Sequence, residues 1–484
     1  MNTKDLYPMT RVRRAMRWAA LLAAAAGSMN MQGCLSDKTL ANDGDGPETF
    51  PQILFAAQEG GLASFDLATG DARPGTIADV KSPTDMQALE DGTVMVNLSG
   101  SNEILVLDGK TMLLKARLPS SGGTAVKPVH SYITPEIGGK KYWVTLNDGS
   151  GAAATNSARF VGADSSDTAA YLKPVGEVGL GVGHHKAAFS PDRARVVISN
   201  IASCDDIMSV FDYSDISDIK KLATLDAGGS GFDGSDKQHT CDQTKAAGIT
   251  PSPHGCEAAK GNGHALCNET GNGTLVAVDL NAAVPGFKLI PTGGSGAGYT
   301  SAHPGGRYIY SLQSKPNESA GGAPCQIGQI AVVDMEKDSL VNELPLLYKG
   351  AGCSDSLAGT PAAGASPSHL LFSPDGKKAF VNVSSASADS NSRVNMQIAL
   401  DVSDPADPVQ KASIAIGSSF GSHGETLTGD GRLLIVANNK DATVSLIDVA
   451  AGTVTKTLAI GNAGKTLATW GTAEGPGHQA GPFH

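Results

Sequence analysis

Charge is scarce in this sequence: only 18% of its 484 residues are Asp, Glu, Lys or Arg. No long apolar stripe at helical spacing runs through it, which sets aside helical bundles and layered α/β folds. A Cys-x-x-Cys-His haem attachment signature is missing, and the residues after 460 are too few for an electron-transfer copper domain. Basic residues are in deficit, with a formal net charge of −11. That balance argues against a nucleic-acid partner and suits a cation. What is abundant is glycine, 59 residues, well above the usual share of about 7%. Between turns lie short runs of Val, Ile and Leu, the composition of β structure.

Residues 1–33 read as an address rather than as fold. Arg11, Arg13, Arg14 and Arg17 precede the apolar stretch Trp18 to Gly27, which is too short to span a bilayer. Met31-Gln32-Gly33-Cys34 follows and resembles the lipobox of bacterial lipoproteins, with Met31 where Leu is usual. The expectation is lipidation at Cys34, ordinary export with cleavage nearby being the alternative. Residues 34–50 are expected to form a flexible tether, and 51–484 a single domain. The expected location is the periplasmic face of the outer membrane or the cell envelope, with membrane contact only through the lipid. Losing the leader removes five basic residues and one acidic one, which takes the net charge from −11 to −15. Setting Cys34 aside leaves six cysteines, an even number for an oxidising compartment. Cys325 with Cys353 is the local pairing expected among Cys204, Cys241, Cys256, Cys267, Cys325 and Cys353.

Two periodic features define the fold. Apolar runs ending in aspartate recur at Asp66, Asp108, Asp212, Asp279, Asp334, Asp401 and Asp448, with a weaker version, RFVGAD, at Asp164. Turn-like residues follow most of them. Seven of the eleven histidines keep step with this pattern: His130, His184, His254, His303, His369, His423 and His478, spaced 54, 70, 49, 66, 54 and 55 residues apart. Four strands over about 45 to 70 residues is the length of a propeller blade. The expected fold is therefore an all-β propeller with four antiparallel strands per blade. It has eight blades, or seven if the unit around Asp164 is irregular. The first unit lacks a leading strand and the chain's end lacks a following one, so the two should join to close the ring.

The innermost strand of each blade lines the axis, so residues leading into it share one rim. Asp85 takes that position in the second unit and His184 or His185 in the fourth. Neutral imidazoles favour zinc, with copper as the alternative. Tetrahedral zinc needs only three or four ligands, and an eight-bladed rim is too wide for one ion to use every member. The expected ligands are His130, His184 or His185, and His254 on one side, with His369 and His423 on the other. Asp85, His303 and His478 are further members of the ring.

Three segments resemble the AztD-type periplasmic zinc metallochaperones: KPVHSYITPEIGGKKYWVTLNDGSG (127–151), GHHKAAFSPDRARVVISN (183–200) and the HGCEAAKGNGHALC stretch that follows Cys241. They cover about a fifth of the chain; the other blades carry generic propeller repeats of the YVTN type. The resemblance implies a propeller without catalytic activity that binds zinc through His130, His184 or His185, and His254. It also implies delivery to the solute-binding protein of an ABC transporter. Cys256 interrupts the family's His-Gly-Glu run, as a ligand, a disulfide partner or an insertion, and the bracketing Cys241 and Cys267 would suit a disulfide that holds His254. The chain has no histidine-rich segment before residue 130. Two other readings stay open: a metal-dependent copper or zinc enzyme using Glu257 or Glu425 as a base, and an interaction propeller without metal.

Overall fold

The computed structural model describes residues 52–136, 138–183, 185–200, 206–225, 253–269, 274–314, 325–348, 365–385, 395–416, 424–438, 441–460, 466–471, 475–476 and 478–479. These residues form an eight-bladed β-propeller of antiparallel four-stranded sheets. Blade two shows the plan in its four strands: Pro83–Ala88, Thr93–Leu98, Glu103–Asp108 and Leu113–Pro119. The first strands of successive blades touch one another, and the fourth strands are the most exposed. The first strand of each blade is therefore innermost.

The continuous apolar runs follow from this geometry. A blade is covered on both faces, so its middle strands need not alternate. In Thr93–Leu98, Val94, Val96 and Leu98 pack toward blade one while Met95 packs toward blade three. The core is accordingly divided into eight apolar seams, one between each pair of neighbouring blades.

The recurring aspartates end the third strands and cap the turn into the fourth. Asp108 Oδ1 accepts the backbone N–H groups of Lys110 and Thr111 at 2.9 and 3.0 Å. Asp66, Asp212, Asp279, Asp334, Asp401 and Asp448 accept in the same way from residues two or three further on. Asp164, just beyond the strand Ser157–Gly162, does so from Ser166 at 2.8 Å. The weak unit is thus a complete blade, and the blade number is eight.

Closure joins the two ends of the propeller. Thr466–Gly471 pairs with Gln52–Gln58 and becomes the innermost strand of blade one. Leu467 fills the seam with blade eight, and Ala468 and Trp470 the seam with blade two. Beyond it, Gly475–Pro476 pairs with Thr466–Gly471, and His478–Gln479 with Glu425–Leu427 of blade eight.

Candidate functional site on the propeller axis

One register position on the innermost strands carries most of the polar chemistry. Several of these strands carry a proline and a bulge near their start: Pro83/Asp85, Pro128/His130, Pro253/Gly255 and Pro367/His369. The residue after the bulge is the first to face the next blade around the ring. In this position stand Asp85, His130 and His369, and the register places Lys186, Gly255, Tyr299, Gly424 and Thr466 as their counterparts. A one-residue slip in a strand moves a side chain to the other face. His185 therefore sits one residue out of phase with His130, and Lys186 follows it in the shared position.

These positions converge at the centre. Asp85 is fully buried; its carboxylate accepts the N–H of Ser131 of blade three at 2.8 Å and that of Met86 at 2.8 Å. His130, also fully buried, turns its Nδ1 toward the Nζ of Lys186 of blade four, 3.4 Å away. Lys186 reaches past blade five to lie over the Tyr299 ring of blade six, 4.1 Å from its centroid. Only near the axis can side chains of blades four and six meet. Tyr299 in turn stacks on the His369 imidazole of blade seven at 4.3 Å. The Tyr132 hydroxyl accepts the N–H of Ala187 at 2.8 Å and closes the seam between blades three and four.

Burial dominates the electrostatics of this centre. Desolvation pushes the Asp85 carboxyl up to about 7, against the opposing hydrogen bonds from Ser131 and the Lys186 charge. It raises Glu257 to about 7 as well, with the Ala258 N–H and Lys186 opposing. Lys186 is held well below the usual lysine range by the same burial, although Asp85, Asp148 and Glu257 all favour its charged form. Low-dielectric surroundings penalise every isolated charge, and each of the three groups is shifted toward its neutral form.

The remaining histidines are placed differently. His185 sets Nδ1 against Asp148 Oδ1 at 3.1 Å and Nε2 against the Gly181 carbonyl at 2.8 Å, so both ring nitrogens face protein oxygens. His303 lies beyond the far end of its innermost strand, Ser295–Ala302, with Nε2 on the Gly376 carbonyl at 2.8 Å. Its Nδ1 accepts the Gly305 N–H at 3.0 Å, the geometry of a turn-locking histidine. His264 pairs with Asp338 at 2.8 Å. His478 lies opposite Leu427 of blade eight rather than in blade one's innermost strand. The His254 backbone is in the strand Pro253–Ala258, while His184, His423, Cys34, Cys204, Cys241 and Cys353 lie outside the described residues. Among the described residues, no three His, Cys, Asp or Glu side chains come together closely enough to hold a metal ion.

One sequence expectation is corrected. Cys267 pairs with Cys256, not with Cys241, in a disulfide whose cysteines face each other across adjacent strands. Direct cross-strand partners place the sulfurs within bonding reach without a loop. The bridge ties the innermost strand of blade five to its neighbour beside Glu257.

Lys186 and Tyr299 were not picked out from the sequence. A signal existed for the first: a lysine inside the otherwise apolar strand HKAAF, which is buried throughout. Tyr299 sits in the glycine-rich SGAGYTSA strand, where neither alternation nor spacing distinguishes it.

Fold and centre together define a class: ring-closed eight-bladed propellers with an ionisable cluster on the axis. Apo AztD from Citrobacter koseri is similar to this chain, with 15% identity, 90% of this chain and 100% of that one covered, and a TM-score of 0.54. A second AztD structure from that organism gives 16%, 89%, 99% and 0.53. A Bacteroides fragilis protein assigned provisionally as a 6-phosphogluconolactonase gives 15%, 81%, 99% and 0.50. At such identities the likeness is one of fold. No protein-family model and no curated protein matches the chain.

Proposed function

We propose that this is an exported propeller that carries a transition metal, zinc in the first place and copper as the alternative, to a metal-uptake system. The observation that carries the reading is the shared register of Asp85, His130 and His369 around a buried axis. Imidazole and carboxylate are the donor types that zinc takes. Asp85, Asp148 and Glu257 all favour the charged form of Lys186, and a bound cation would draw on the same carboxyl groups. A complete set needs a third or fourth donor, for which the sequence offers His184, His254 and His423. His185 contributes by fixing the strand, since both its nitrogens face protein oxygens.

Delivery to the solute-binding protein of an ABC transporter is the role that fits a cargo metal held without chemistry on it. Lipidation at Cys34 would keep the carrier at the cell envelope. The test is a zinc titration of the chelator-treated, oxidised protein, followed by thermal stability. About one equivalent should bind and raise the melting temperature. His130→Ala combined with His254→Ala should abolish tight binding, while His239→Ala, in the polar stretch SDKQHTCD, should leave it intact. Equal losses in both variants would refute the axial assignment.

A further inference from the structure

We infer that Lys186 is an internal competitor for the cargo: its side chain holds the space beside His130, and a metal reaches His130 Nδ1 only after Lys186 has moved aside. The inference rests on the metal-carrier reading of the axis and deepens it by naming the residue that sets affinity and selectivity. Its basis is geometric. Lys186 Nζ lies 3.4 Å from His130 Nδ1. Zinc bound to an imidazole nitrogen sits about 2.1 Å from it, so an ion on the side that Lys186 faces would press into Nζ.

The rest of the cluster supports the same substitution. Lys186 is held over the Tyr299 ring at 4.1 Å, a face that attracts cations in general. The lysine stem is four carbons long with rotatable bonds throughout, so the Nζ can be turned away by side-chain rotation. Lys186 thus raises the threshold for entering the site. An ion that gains little from imidazole, such as magnesium or calcium, does not displace it, whereas zinc or copper gains enough to do so.

The experiment is a zinc competition titration against a chromophoric chelator, using the full-length oxidised protein and its Lys186→Met and Lys186→Gln variants. Thermal melts of the metal-free forms check folding, and Gln serves if Met does not fold. Either variant should bind zinc about tenfold tighter than the parent, within the usual range of coupling between two ligands. Lys186→Arg, with its larger fixed fork, should bind more weakly. A side chain with only a structural role would weaken binding when removed, never tighten it. Unchanged or weaker binding in both neutral variants, with clear binding by the parent, overturns the competitor role and leaves the carrier reading standing. Failure of the parent and all variants to bind zinc overturns both.

Discussion

Replacing Glu425 by Gln should stabilise the metal-free protein in alkaline solution and change little in acid. Glu425 is 1% exposed, in the innermost strand of blade eight, and faces Gln397 of blade seven. Gln397 Nε2 donates to Glu425 Oε2 at 2.8 Å, while Oε1 has no hydrogen-bond partner among the described residues. Desolvation lifts the carboxyl from 4.5 to about 8, with only the Gln397 bond opposing. The folded group therefore keeps its proton over a pH range in which the unfolded chain has lost it. Folding takes up a proton between about 4.5 and 8, so stability falls as pH rises through that window. At about 1.4 kcal/mol per unit, the full effect is on the order of 4–5 kcal/mol above pH 8, as an upper bound. Glutamine keeps the shape and the accepting oxygen but has no charge to desolvate. Denaturant unfolding of both proteins with chelator present, at pH 4.5 and 8.5, measures the difference. Nearly coincident midpoints in acid and a variant several kcal/mol more stable at pH 8.5 are expected. A variant that is less stable at both pH values would show that Glu425 is ionised and satisfied, and the argument from desolvation would be wrong.

Three further outcomes are expected. Breaking the Cys256–Cys267 bridge, which spans 11 residues, with Cys256→Ser and Cys267→Ser should cost about 2–3 kcal/mol; reductant should then affect the parent but not the double variant. Trp470→Ala in the closing strand should cost about 3–5 kcal/mol, because Trp470 is 4% exposed in the seam between blades one and two; a melting temperature equal to the parent's would mean that closure does not depend on this seam. Asp108→Ala should cost about 1 kcal/mol by losing two turn-capping bonds, measured by the same unfolding curves, with no effect on zinc affinity.

Blade number and closure were legible because they rest on repeated local chemistry. An aspartate that caps the turn after each third strand marks every blade, including the one at Asp164 whose apolar run is interrupted. The unpaired strand at each end pointed to Thr466–Gly471 joining Gln52–Gln58. The site was legible only to within a residue or two. Spacing brought out His130, His369 and Asp85 as leading into the innermost strands, and they lie within those strands. It could not tell a bulged residue from the one after it, and that single step decides which face a side chain takes. Hence Lys186 rather than His185 holds the shared position, and His303 belongs to a turn at the strand's other end. The Cys256–Cys267 pairing depended on strand register as well, which cysteine spacing does not encode.

Diffraction from zinc-soaked crystals at the zinc absorption edge tests the central claim most directly. An anomalous peak bonded to His130, with the Lys186 side chain turned away from it, is the expected result. A peak only at surface sites, with Lys186 still against His130, would contradict the carrier function.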